Sequence, residues 1–256
     1  MATRTRRSQR RTEALSRERI VEAAVELLDA SGASGLTFRA LTERLATGPG
    51  AIYWHVANKD ELLAAATDAV VAGAVATGAG EPSQEPEDGI RAVALRLFDA
   101  TEAHPWLAAQ LATQLSRSPG GTVAPRILEG IGRHVRALGV PEEGWFTAAS
   151  ALMHYILGAA GQNAANTESA RALGPEADRG DFLGTVSAAW RRLDPDDYPF
   201  TRAVADQLRE HDDREQFLAG IDLILTGITA LQLPSGQESA DDDQPEVAGK
   251  GLAELR

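Results

Sequence analysis

Apolar residues recur at steps of three and four along most of the chain, the period of helices rather than strands. Ile20, Ala24, Leu27 and Leu28 mark one face of a first helix, with Ser16 as a capping hydroxyl and Glu18 in its first turn. Gly32 and Ser34-Gly35 end it. Thr37 caps a short second helix with Phe38, Leu41 and Leu45 inward and Arg39, Glu43 and Arg44 outward. Ala46-Thr47-Gly48 reads as a tight turn. A brief third helix over Pro49 to His55 follows, with Gly48 as cap and proline at its first position. Asn58 caps a fourth, with Glu61 three residues on in a capping-box-like arrangement.

Tyr53, Trp54 and His55 stand in consecutive positions of the third helix. Neighbouring helical residues point about 100° apart, so the three cannot share one core. With Ile52 and Val56 turned inward, at least one amphipathic ring faces outward. Four helices, the second and third joined by a short turn, give a helix-turn-helix order. In that order the third helix enters the major groove of DNA, which needs a narrow N-terminus; Gly48-Pro49-Gly50-Ala51 supplies one. Spacing alone leaves two readings of Tyr53 and Trp54. They reach phosphates and base edges, or they cover the inner face of the small domain.

The rest of the chain is also predicted helical. Glu81 to Pro86 marks a boundary. One helix runs through Val93, Leu97 and Phe98 to about Glu102, and another from Trp106 to Leu115. Ser118-Pro119-Gly120-Gly121 breaks the chain before a helix over Pro125 to Leu138. A long helix from Glu142 to about Asn166 carries Phe146, Ala149, Met153, Ile156 and Ala160 on one stripe, with Leu152 and Leu157 beside it. Pro175 to Gly180 reads as loop, Phe182 to Leu193 as a short helix, and Pro199 to about His211 as another. The last helix, Asp213 to Leu231, spaces Phe217, Ile221, Ile224, Ile228 and Leu231 by 4, 3, 4, 3, a packing seam. Leu218 and Leu225 widen the seam. After Pro234 the composition turns polar and acidic, and 233–256 reads as a disordered tail.

Composition sharpens this picture. Thirteen aromatic residues in 256 are few for a β protein. No cysteine is present, which excludes disulfides and thiolate chemistry. No apolar run is long enough to span a membrane, and the basic N-terminus lacks the apolar core of a secretory signal, so a cytoplasmic protein is expected. The net charge of -12 hides an asymmetry: residues 1–60 balance at +3 and the remainder at -15. Five arginines fall in the first eleven residues. Two readings fit that run, an arm for a polyanion or a solvated tail without partner. A Walker A loop, GxGxxG, HExxH and GxSxG are all missing, so no enzyme is expected.

The segment TFRALTERLATGPGAIYWHVANKDELL, Thr37 to Leu63, resembles the DNA-binding domain of TetR-family transcriptional regulators, and the likeness runs from about Leu15 to Ala74. It implies that Thr37 caps its helix and touches phosphate, and that Arg39 reaches a base. It implies that Gly48, Pro49, Gly50 and Ala51 approach the bases while Tyr53, Trp54, His55 and Lys59 hold the backbone. The sequence departs from the family pattern in the turn: the usual glycine is Ala46, the next apolar residue is Thr47, and the usual cap is Gly48. The reading face is therefore poor in hydrogen-bonding side chains.

More weakly, Ala151 to Gly158 and Phe217 to Ile228 resemble the tetracycline-repressor-like regulatory domain. That likeness implies a homodimer built on the two long helices, with Phe146, Ile156, Ala160, Phe217, Ile221, Ile224 and Ile228 as candidate interface residues. Elementary geometry agrees, since paired heads about 34–36 Å apart read a palindrome on one face of DNA. A small-molecule effector is implied as well. Phe98, Trp106, Leu107, Trp145, Met153, His154 and Tyr155, with His104 and His134, are candidates to line its pocket. A plain packed core, with each histidine satisfied locally, is the other reading of the same residues. The family's metal-binding histidine has no counterpart near Leu111, so no metal and no cofactor are expected.

The expected protein is thus all-α: a basic arm over 1–14, a helix-turn-helix domain over 15–75, and a helical ligand-binding and dimerisation bundle over 87–232. A ligand-released repressor on a palindromic operator is the first functional reading. A transcriptional activator, an architectural DNA-binding protein and a sensor acting through protein contacts are the alternatives.

Overall fold

The computed structural model describes residues 15–76, 85–173 and 179–230. The basic arm, the Glu81–Gln84 part of the expected boundary and the acidic tail lie outside the described residues. All regular elements among those described are helices.

Helix α1, Arg17–Gly35, starts where Ser16 Oγ accepts the Arg19 N–H at 3.3 Å. Its first long piece stops at Gly32, whose φ of 64° turns the chain. Ile20, Ala24 and Leu28 are buried, as their spacing requires. In α2, Phe38–Leu45, Thr37 Oγ1 accepts the Ala40 N–H at 3.1 Å. This helix ends on Ala46, which has φ 50° and ψ 46°. A side chain in the left-handed region costs about 1–2 kcal/mol, which glycine avoids. Ala46→Gly is therefore expected to raise unfolding free energy by about 0.5–1 kcal/mol after the extra flexibility of unfolded glycine is subtracted, read from the urea midpoint.

Helix α3, Pro49–Tyr53, is shorter than the sequence suggested, and α4 runs over Lys59–Ala76. Asn58 Oδ1 accepts the Glu61 N–H at 2.8 Å. The reciprocal bond goes from the Ala57 N–H to Glu61 Oε2, one residue earlier than in a standard capping box. Ile52 and Val56 are fully buried, and α3 packs on α2.

Helix α4 leads into the body, where it packs on α5, Pro86–Ala103, α6, Leu107–Arg117, and α7, Val123–Ala137. Arg126 reaches Asp68 at 3.1 Å, and Arg96 Nε donates to Ala74 O at 2.8 Å. After a 3-10 turn at Glu142–Gly144 comes α8, Trp145–Leu173, longer than expected and spanning about 44 Å at 1.5 Å per residue. It contacts α5, α6, α7 and the last helix, α12, Asp213–Ala230. Between them α9, Arg179–Arg191, packs on α10, Pro199–Ala203, and α11, Ala205–Arg209. The expected single helix over Pro199–His211 is broken at Val204, whose φ and ψ are -93° and 1°. Arg202 Nη1 holds this arm together by donating to Leu193 O at 2.6 Å and to Arg191 O.

The seams of the two long helices require a correction. Ile156, Ala160, Phe217, Ile221 and Ile228, expected at a dimer interface, lie buried in the core of the single subunit. A side chain already out of water has no surface left to lose to a partner. Ile224 is partly buried against that core, and only Phe146 of the expected set stands fully outward, 76% exposed. The outer faces of α8 and α12 instead present Ala151, His154 and Gly158, and Ala219, Leu223 and Gly227.

Candidate DNA-reading head and ligand cavity

The head gathers the expected contact residues on one exposed ridge. Thr37, Arg39, Gly48, Pro49, Gly50 and Ala51 are all exposed. Tyr53 is 52% and Trp54 88% exposed, while His55 is partly covered. The Tyr53 ring stacks on Phe38 with centroids 4.5 Å apart, so one face is fixed and the hydroxyl edge stays outward. Trp54 is the most exposed large apolar side chain described. An indole left in water by its own fold suits a surface that is later covered.

Charges on the ridge are held in weak, exchangeable pairs. Arg39 Nε donates to Glu43 at 2.9 Å, and its guanidinium pKa is raised chiefly by that hydrogen bond. Arg44 pairs with Glu26, and Arg17 with Glu61 at 3.3 Å. Solvent-exposed pairs contribute little to stability, so DNA phosphates can replace the carboxylates at small cost. Lys59 differs. Its ammonium donates to Ala33 O at 2.6 Å, tying the start of α4 to the end of α1.

Aspartate 29 joins head to body. Its Oδ1 accepts the Trp106 Nε1–H at 2.7 Å and lies 2.7 Å from His104 Nδ1. Both rings sit at the α5–α6 junction, outside the cavity described next. Asp29→Ala leaves the indole N–H of a nearly buried tryptophan without its partner. A loss of about 1–2 kcal/mol is expected in chemical denaturation.

The body contains a cavity of about 560 Å³ between α5, α8, α12 and the α9–α11 arm. Of the nine residues expected to line a pocket, Phe98 and Tyr155 do so. The others are placed elsewhere. Leu107 and Met153 are core residues. Trp145 Nε1 donates to Val140 O at 2.6 Å beneath the Arg136 guanidinium. His134 lies against Gly89, where a Cβ would meet its ring at 2.2 Å. Burial lowers its pKa, and neighbouring arginines add to this, consistent with Arg133 Nε donating to a neutral Nε2. His154 is exposed on the outer face of α8.

Sequence reasoning missed the rest of the lining. Trp190, Phe200, Val204 and Leu208 come from the arm. Gln162, Asn163 and Asn166 come from α8, where Asn163 is only 5% exposed. The available signal was a polar residue in the core stripe Ile156–Ala160–Asn163, an arrangement that demands a partner or a ligand. Here Nδ2 donates to Glu102 at 3.0 Å.

Two family models match the chain. Residues 20–66 match "Bacterial regulatory proteins, tetR family", and residues 81–232 match "Tetracyclin repressor-like, C-terminal domain".

The chain belongs to the tetR family.

It is a helix-turn-helix transcriptional regulator with a tetracycline-repressor-like C-terminal domain, in a family of regulators rather than enzymes. An HTH-type transcriptional regulator of Saccharopolyspora erythraea is 32% identical over 144 residues; that stretch is 56% of this chain and 59% of the relative. The HTH-type transcriptional repressor DrrR1 of Streptomyces coeruleorubidus is 28% identical over 88% of this chain and 82% of its own. The solved TetR regulator SCO7222 of Streptomyces coelicolor is 72% identical, covering 85% of this chain and 99% of its own, with a TM-score of 0.76. The all-α fold and the helix-turn-helix head expected from the sequence thus stand as tetR-family features. Among the described residues no helix is long and apolar enough to cross a membrane.

Proposed function

We propose that this tetR-family protein is a cytoplasmic repressor that binds a palindromic operator as a homodimer and is released by a small molecule. The observation that carries this reading is the exposed ridge of Thr37, Arg39, Pro49–Ala51, Tyr53 and Trp54 around a helix with glycine and proline at its tip. Small residues let the backbone of α3 approach the base edges. Tyr53, Trp54 and His55 bear on the sugar-phosphate backbone, and Arg39 exchanges Glu43 for a base or a phosphate. Lys59 positions α4 through Ala33 and reaches phosphate only by giving up that bond. Base readout rests on Arg39, on apolar contact with thymine methyls and on DNA shape.

Leu223 and Phe146, each 76% exposed on the two helices of a repressor-like bundle, support pairing of two subunits through the outer faces of α8 and α12. Nearby Gly158 and Gly227 allow close helix approach. A dimer bound across an operator obstructs polymerase without touching it, which favours repression. The effector acts by its different affinity for two head spacings.

Nuclease protection on DNA upstream of the protein's own gene tests this reading. Two protected half-sites centred about one helical turn or a multiple apart are expected. Uniform protection at all concentrations would favour architectural binding, and protection by monomers would remove the dimer.

A further inference from the structure

His134 stands in the contact between α5 and α7 in a setting that suits only its neutral form. Its ring lies over Gly89 in the first turn of α5, where an added Cβ would meet Cε1 at 2.2 Å and Nδ1 at 2.3 Å. Nothing larger than glycine fits beneath it. Nε2 accepts the Arg133 Nε–H at 3.2 Å, a bond that only an unprotonated nitrogen can take. Arg133 depends on that bond, because Nη2 of the same guanidinium is buried with no acceptor among the described residues. Burial holds the His134 pKa below the ordinary 6.5, and Arg133 and Arg96 lower it further.

The charges acting on the ring are those two arginines, and no carboxylate offsets them. Around Gly89, Glu87 and Asp88 are drawn to Arg91, which also holds Asp222 of α12, and Glu85 is exposed. On α7 itself Arg126 holds Asp68 of α4, and Arg136 lies over Trp145. Of the other helices packed on α7, α6 carries Arg117 in its last turn, and α8 keeps His154 on its outer face.

A proton on Nε2 turns an acceptor into a donor that faces another donor. It also sets a third cation beside two arginines in a partly buried space. Parting α5 from α7 relieves both. These two helices hold the end of α4: Arg96 Nε donates to Ala74 O at 2.8 Å, and a Cβ at Gly130 would meet Val75 Cγ1 at 2.5 Å. Helix α4 carries the head, so a looser grip on its end blurs the spacing of two paired heads.

We propose that His134 is an acid-sensitive pin, whose protonation loosens α5 from α7, frees the end of α4 and weakens operator binding. The last step rests on the operator-binding reading above. Since the folded pKa lies below the unfolded one, the stabilisation is complete above pH 6.5 and is lost as the pH falls through the folded value.

Urea midpoints and operator affinities of the full chain and of His134→Gln at pH 7.5 and 5.5 test this. Glutamine offers an acceptor oxygen and takes up no proton in this range. The other four of the five histidines are common to both proteins, so their effects cancel. The parent midpoint is expected to fall further than that of the variant. Parent operator affinity is expected to fall at least about fivefold further, one proton setting a limit of about tenfold per pH unit. Equal falls in midpoint would overturn the pin, and separate midpoints with equal falls in affinity would overturn its reach to DNA. If the variant does not fold, the His134 Cε1 proton is followed by NMR in the parent. Titration below pH 6.5 is expected there, and titration at or above it overturns the pin. No operator binding by either protein at pH 7.5 defeats the regulator reading alone, and the midpoints still decide the pin.

Discussion

Gly50→Glu is expected to leave the fold intact and to reduce operator binding to the level shown for any duplex, a loss of roughly 10³-fold or more. Gly50 is exposed in the first turn of α3, and a Cβ built there meets nothing within 4 Å. The isolated head therefore has room for the side chain, and thermal unfolding should shift by no more than one or two degrees. In the groove the same side chain does two kinds of harm. Its bulk holds the narrow end of α3 away from the base edges, and its carboxylate faces a polyanion with no cation between them. Fluorescence anisotropy at fixed salt, paired with a melting curve, separates the two effects. Affinity within a few-fold of the parent protein would mean that α3 does not enter DNA by this end.

Leu223→Asp is expected to split the dimer. The side chain is 76% exposed in one subunit, so folding of that subunit loses little. At a two-fold interface the substitution places two carboxylates near each other out of water, each costing about 3–5 kcal/mol when unpaired. Sedimentation at micromolar concentration should change from dimer to monomer. Operator affinity should fall at least 10²-fold, because one head then binds without its mate. A variant that sediments as the parent dimer would place the interface on another face. Ile221→Asp is a poor substitute for this test, since Ile221 is fully buried and its loss unfolds the subunit instead.

The head was the more legible part of the sequence because its signals are local. Thr37, Pro49 and Asn58 each obey a rule that involves residues no more than four positions away, and each sits where the rule puts it. The strain at Ala46 was visible only through the resemblance, which marks that position as a glycine site; nothing in an alanine itself announces a left-handed turn. The body was read less well for a physical reason. The seam through Phe217, Ile221 and Ile228 says that these residues leave water, but spacing carries no information about what covers them. Their cover is the subunit's own core.

The pocket was misread in a similar way. Aromatic and histidine residues in an apolar stretch fit a pocket wall and a locally satisfied core equally well; here His104 and Trp106 are used up by Asp29, and Trp145 by Val140 and Arg136. The cavity depends on the arm of α9–α11 returning beside α8 and α12. No local period encodes that return. Asn163 in a core stripe was the clue that could have been taken from sequence.

Equilibrium anisotropy decides whether the protein binds DNA by sequence. A duplex from upstream of the protein's own gene, carrying the protected half-sites, is titrated against a scrambled duplex of equal length over a salt series. The native duplex is expected to bind roughly 10³-fold or more tightly at physiological salt, and Gly50→Glu is expected to remove that preference. Equal affinity for both duplexes, falling with salt along the same slope, would contradict it.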